Sequence, residues 1–166
     1  RVAVQIEKSP QSLAVYAACV QAGLIFLPLN TAYTASELSY FLEDSGARVV
    51  ICDPKSQETL APIAQATGAQ LETMDAAGEG SFAQKAAAQP MEFATVPREA
   101  EDLAAFLYTS GTTGRSKGAM LTQNNLLSNA EVLTRHWAFS ATDALLHALP
   151  IYALPFVARL DSNGGS

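Results

Sequence analysis

Between positions 108 and 118 the chain reads Tyr108-Thr109-Ser110-Gly111-Thr112-Thr113-Gly114-Arg115-Ser116-Lys117-Gly118, hydroxyls and glycines closed by one lysine. It follows directly on the apolar run Leu103-Ala104-Ala105-Phe106-Leu107. Those residue types at that density are suited to holding phosphate. Glycines let backbone N–H groups approach an anion, hydroxyls donate hydrogen bonds, and a lysine adds a full positive charge. Charge-assisted hydrogen bonds contribute about 1.5–3 kcal/mol each, so a few of them would hold a triphosphate. The candidates are the hydroxyls of Thr109, Ser110, Thr112 and Thr113, the freed backbone at Gly111, Gly114 and Gly118, and above all the ammonium of Lys117. Any one hydroxyl can instead tie the turn to itself.

This is not a Walker A loop, which requires Gly-x-x-x-x-Gly-Lys-Ser/Thr. Counted from Gly111, the second glycine would fall at Ser116, and the residue after Lys117 is Gly118 where a hydroxyl for Mg²⁺ should stand. Nor does a Gly-x-Gly-x-x-Gly fingerprint follow a strand, so the common dinucleotide reading fails as well. No catalytic or metal-ligating set emerges elsewhere. His136 falls beside Trp137 at the end of a helical pattern, and His147 alternates with Leu145 and Leu149 on a strand pattern; both read as structural.

The elements that must position the loop alternate between strand and helix. Arg1–Ile6 reads as a strand; Ser9-Pro10 supplies an N-cap and a proline at the first helical position. Leu13, Tyr16, Ala17 and Val20 recur at helical spacing, which predicts the buried face of that helix, and Gly23 ends it. Leu24–Leu29 is a second strand. Thr34 and Glu37 form a capping box for a helix with Leu38, Phe41 and Leu42 on one face. Arg48–Cys52 and Gln70–Met74 read as strands around a helix over Gln57–Thr67 that turns Leu60, Ile63 and Ala64 inward. Between Ala76 and Arg98 a surface excursion is expected, with one short helix at Ser81–Ala88. Leu103–Leu107 leads into the loop and Lys117–Leu121 returns from it. Thr122 caps a helix bearing Leu126, Ala130, Leu133 and Trp137, and Ala144–Leu149 is a last strand. Such alternation predicts an α/β fold with a mainly parallel sheet and flanking helices.

Composition removes several classes. Of 166 residues, 49% are hydrophobic, enough for a globular core. Ten basic residues against sixteen acidic ones leave a net charge of −6, without a basic stripe, so no nucleic-acid partner is expected. Cys19 and Cys52 belong to no metal-binding or disulfide pattern and read as buried apolar residues in a reducing, cytoplasmic setting. The apolar stretch from Leu13 to Leu29 contains Gln21, Gly23 and Pro28 and is too short to span a membrane.

The loop resembles the signature of the AMP-forming acyl-CoA synthetases and their adenylating relatives, Tyr-Thr-Ser-Gly-Thr-Thr-Gly-x-Pro-Lys-Gly, departing from it at Ser116, where proline is usual. Arg1-Val2-Ala3-Val4-Gln5, Leu27-Pro28-Leu29-Asn30, Val50-Ile51-Cys52-Asp53-Pro54 and His147-Ala148-Leu149-Pro150-Ile151-Tyr152 are similar to further stations of that family, in order, with malonyl-CoA synthetases the nearest likeness. The resemblance implies a partial N-terminal AMP-binding domain over 1–152. It implies ATP, Mg²⁺ and coenzyme A as cofactors and co-substrates, and a small carboxylic acid, malonate first, as substrate. Lys117 would contact the β- or γ-phosphate, and Arg115 would face solvent. After Tyr152 the likeness stops. Ala153-Leu154-Pro155-Phe156 lacks the histidine and glycine that line the family's acyl pocket, and 153–166 reads as a disordered tail or junction. The adenine site, the glutamate for Mg²⁺ and the catalytic lysine are expected outside these residues, so the chain alone is expected to be inactive and open to self-association through exposed edges. Two alternatives stand beside this reading: a non-catalytic phosphate-binding or interaction module, and an adenylation domain serving an acceptor other than coenzyme A.

Overall fold

The computed structural model describes residues 1–109, 116–140 and 142–143. In chain order they form β1 (Val2–Gln5), α1 (Pro10–Gln21), β2 (Phe26–Pro28), α2 (Ala35–Ser45), β3 (Val49–Cys52), α3 (Gln57–Thr67), β4 (Gln70–Thr73), α4 (Ser81–Ala87), β5 (Leu103–Thr109), β6 (Lys117–Thr122) and α5 (Gln123–His136). The sheet order is β4-β3-β1-β2-β5-β6. All neighbours pair in parallel except β5 and β6, which are antiparallel. The expected strand over Ala144–Leu149, with His147, and the tail 153–166 lie outside the described residues.

Side-chain alternation along the central strands divides the core into two layers. Ala3, Leu27, Val50 and Cys52 face one way, against Leu38, Phe41 and Leu42 of α2 and Leu60 of α3. Val2, Val4, Phe26 and Ile51 face the other, against Val15 and Cys19 of α1 and Phe82 of α4. Strands buried on both faces must read as continuous apolar runs, and Val49-Val50-Ile51-Cys52 does. Burial pushes both thiols up to about 11, so Cys19 and Cys52 are protonated, unreactive core residues at neutral pH.

The capping signals operate as the sequence predicts. Ser9, Thr34 and Thr122 each accept from the backbone N–H three residues on, and each is answered by a reciprocal side chain, Ser12, Glu37 and Asn125. The αL conformation of Gly46 stops α2.

The predicted α1 face is wrong at Leu13, Ala17 and Val20, although Tyr16 packs against the core beside Phe26. On α1 the buried residues are Ser12, Val15 and Cys19, whereas Leu13 is 50% exposed and Val20 37%. The helix is apolar nearly all round, so periodicity alone could not choose a side. Ser12 can lie inward because its hydroxyl is satisfied locally, accepting from Ser9 N at 2.9 Å and donating to Ser9 O at 2.7 Å. On α5 the inward residues are Leu126 and Ala130. Trp137 is exposed at the C-cap, where its ring meets Phe139 edge-on.

At the β4 edge, Glu72 is buried with three partners: the Lys85 ammonium, the Ser81 hydroxyl at 2.6 Å and the Gln70 amide at 2.6 Å. Lys85, then Ser81, hold its carboxyl down from the ordinary 4.5 to about 2, against the opposing effect of burial. A depressed carboxylate stabilises the fold fully above its unfolded pKa, and that contribution disappears as pH falls through the folded one. Urea midpoints should therefore fall between pH 4.5 and 2, and Glu72→Gln should flatten that slope while costing roughly 1–3 kcal/mol near neutrality. Parallel pH profiles for the two proteins would refute this assignment.

Candidate functional site

β1 to β4 are parallel and β5 runs parallel to β2, so Thr109 arrives at the edge of the sheet where these strands end. Open α/β sheets bind ligands along that carboxyl edge. The chain comes back at Ser116 and pairs down β6, with Thr109 opposite Lys117, Tyr108 opposite Gly118 and Phe106 opposite Met120. The loop thus joins two antiparallel strands and does not run into a helix. A Walker loop uses a helix N-terminus for its anion, whereas the chain here returns into β6.

Of the sequence candidates, Thr109, Lys117 and Gly118 lie in these stems. Ser110, Gly111, Thr112, Thr113 and Gly114 fall outside the described residues. Thr109 and Lys117 are exposed and directly opposite each other. The Thr109 hydroxyl spans the hairpin to the Lys117 carbonyl at a long 3.5 Å, so it braces the stems. Among the described residues no ion pair uses the Lys117 ammonium. Gly118 has a further reason to be glycine: a Cβ there would lie 2.2 Å from Cε1 of Phe106.

The stems rest on an aromatic group that sequence reading did not connect to the loop. Phe41 stacks on Tyr108 at 4.1 Å between centroids, with Phe106 at 5.3 Å and Tyr40 at 6.1 Å from the Tyr108 ring. The Tyr108 hydroxyl donates to Asp44 at 2.6 Å, and the Tyr40 hydroxyl donates to the Ser116 carbonyl at 3.1 Å. Burial, then Asp44, raises the Tyr108 pKa well above the ordinary phenol range, so the group is a neutral donor. These contacts join residues 64 and 76 positions apart, and no local sequence signal announces them.

Among the described residues, exposed Thr109 and Lys117 stand opposite each other at the carboxyl edge, and no ion pair there engages the Lys117 ammonium. No group of three or more His, Cys, Asp or Glu side chains among the described residues is placed to hold a metal ion. Among the described residues no helix is long and apolar enough to cross a membrane.

Known proteins agree with this geometry. The chain is 53% identical to apo MatB from Rhodopseudomonas palustris, with a TM-score of 0.87 over 92% of this chain and 30% of that one; ATP-bound MatB matches with the same values. It is 33% identical to the mitochondrial malonate–CoA ligase ACSF3 of Xenopus laevis over 78% of this chain and 22% of the relative. A feruloyl-CoA synthase from Amycolatopsis sp is 38% identical over 92% of this chain and 29% of the relative. The chain therefore spans between 22% and 29% of the length of these two relatives. The family model described as AMP-binding enzyme matches residues 1–155, loop and sheet together. With the parallel sheet, the hairpin stems and this match in agreement, the chain belongs to the AMP-binding enzyme family.

Proposed function

We propose that the chain carries the phosphate-gripping portion of an ATP-dependent, AMP-forming ligase that joins a small carboxylic acid, malonate first, to coenzyme A. The observation that carries the reading is the hairpin itself: Lys117, exposed and without an ion-pair partner among the described residues, stands opposite Thr109 at the ends of the Ser/Thr/Gly loop. The 53% identity to MatB, known also with ATP bound, supports it, as do relatives named malonate–CoA ligase.

In that reaction a carboxylate oxygen attacks the α-phosphate of ATP. Pyrophosphate leaves, and the acyl-adenylate is then cleaved by the coenzyme A thiol with release of AMP. A free carboxylate is a poor acyl donor; the mixed anhydride supplies a leaving group. The part played by this segment is electrostatic. Lys117 and the loop donors position the β- and γ-phosphates and offset charge on the departing pyrophosphate. Mg²⁺ would accompany ATP and offset the charge on its phosphates. Two buried, unpaired cysteines fit a reducing compartment, and the cytoplasm is the one we assign.

The 166-residue polypeptide by itself is expected to melt at higher temperature with Mg-ATP and to form no malonyl-CoA. A melt indifferent to Mg-ATP would remove the phosphate reading. Thioester formation by this polypeptide alone would show that the reaction does not need the remaining length of its relatives.

A further inference from the structure

Two side chains one helical turn apart on α2 hold opposite stems of the hairpin. Tyr40 donates to the Ser116 carbonyl on the returning stem at 3.1 Å. Asp44 accepts from Tyr108 on the outgoing stem at 2.6 Å, and the same hydroxyl lies 3.3 Å from the Phe41 carbonyl. Residues spaced i, i+4 share one helical face, so a single rigid element sets both contacts. That element is fixed in turn: Leu38, Phe41 and Leu42 are buried against the sheet, and Phe41 stacks on Tyr108 between the two hydrogen bonds.

We infer that α2 is a clamp for the phosphate loop, with Tyr40 and Asp44 as positioning residues that fix the separation and register of its two ends. This rests on the phosphate reading above. The loop ends are Tyr108 and Ser116, and Lys117 follows immediately on the second. A lysine on a long flexible stem meets a phosphate productively only if its backbone origin is held. Ser116 has no ring to fix its own φ, so its backbone must be restrained from outside. The Tyr40 hydroxyl does this at the residue adjoining Lys117. Tyr40 and Asp44 act through Ser116 and Tyr108.

The test is Tyr40→Phe, which deletes the hydroxyl and keeps the ring packed 5.5 Å from Phe41. Two quantities are read on the whole chain: amide hydrogen exchange, and affinity for tripolyphosphate by calorimetry. Losing one neutral hydrogen bond should speed exchange of the Lys117–Thr122 amides about five-fold and weaken tripolyphosphate about five-fold, with β1 and β3 amides unchanged. Unchanged β6 exchange in the variant overturns the clamp. So does acceleration spread equally over β1 and β3, which would make Tyr40 a general stabiliser. So does a loosened β6 with undiminished tripolyphosphate affinity. A wild-type chain that ignores tripolyphosphate overturns the phosphate reading, and with it the positioning role, whatever the variant does; the wild-type titration separates the two failures.

Discussion

Lys117→Ala should remove about half or more of the thermal stabilisation that Mg-ATP confers while leaving the ligand-free melt where it was. Lys117 is exposed at the start of β6 and forms no ion pair among the described residues, so its truncation should change intrinsic stability by no more than about 0.5 kcal/mol. Its effect on ligand is another matter. A charge-assisted contact to phosphate contributes about 1.5–3 kcal/mol, which is roughly a 10- to 100-fold change in affinity. With Mg-ATP a hundredfold above its dissociation constant, binding adds about 2.7 kcal/mol to the wild type. At the same ATP concentration the variant would retain only about 0.4–1.4 kcal/mol. For a domain of this size each kcal/mol moves the melting temperature by about 2–4 °C, so a shift of roughly 5–10 °C should shrink to about 1–5 °C. Lys117→Arg separates charge from shape: it keeps the charge but spreads it over a planar fork, and should fall between the two. Equal ATP shifts in wild type and Lys117→Ala would mean that the lysine is a solvated strand residue and that ATP, if held, is held elsewhere.

The strands and helix starts around the loop are readable because their signals are local. Ser9-Pro10, Thr34 with Glu37, and Thr122 announce helix starts within four residues, and the apolar runs at Val49–Cys52 and Leu103–Leu107 announce buried strands. What the sequence hides is long-range. Nothing in the neighbourhood of Tyr40 predicts Ser116 as its acceptor, and nothing near Asp44 predicts Tyr108, because those pairs form only when α2 packs beside the hairpin. Glu72 illustrates the same point: a carboxylate in a strand reads as solvent-facing until α4 brings Ser81 and Lys85 over it. The α1 face was misjudged for a different reason. With Leu13, Val15, Ala17, Cys19 and Val20 all apolar, the sequence carries too little contrast, and the buried stripe is chosen by a serine whose hydroxyl is already satisfied. Legibility fails wherever the deciding partner is distant or the pattern is uniform.

Gly118→Ala should be the most damaging single-methyl change in the hairpin, and the reason is steric and has nothing to do with phosphate. The added Cβ would lie 2.2 Å from Cε1 and 2.4 Å from Cζ of Phe106, where carbon atoms need about 3.5–4.0 Å. The Phe106 ring has little room to yield. It is 7% exposed, belongs to the core layer with Leu27 and Phe41, lies 5.3 Å from the Tyr108 ring, and is covered by the Arg1 guanidinium at 5.9 Å. Overpacking of this kind costs about 1–3 kcal/mol. The ligand-free melting temperature should drop by roughly 2–12 °C. The partner can be identified by a double-mutant cycle. In a Phe106→Leu background the ring atoms are gone, so Gly118→Ala should there cost almost nothing, and the coupling between the two positions should recover most of the single-variant loss. The same drop in both backgrounds would mean that the clash is with something other than Phe106. A third pattern would point back to ligand: if Gly118 were required only to let an anion approach the backbone, Gly118→Ala would leave the ligand-free melt unchanged and blunt only the response to Mg-ATP. The 2.2 Å approach that an added Cβ would make to Phe106 argues for the first outcome, in which the small residue after Lys117 is demanded by the core beneath the strand, whose path depends on that packing.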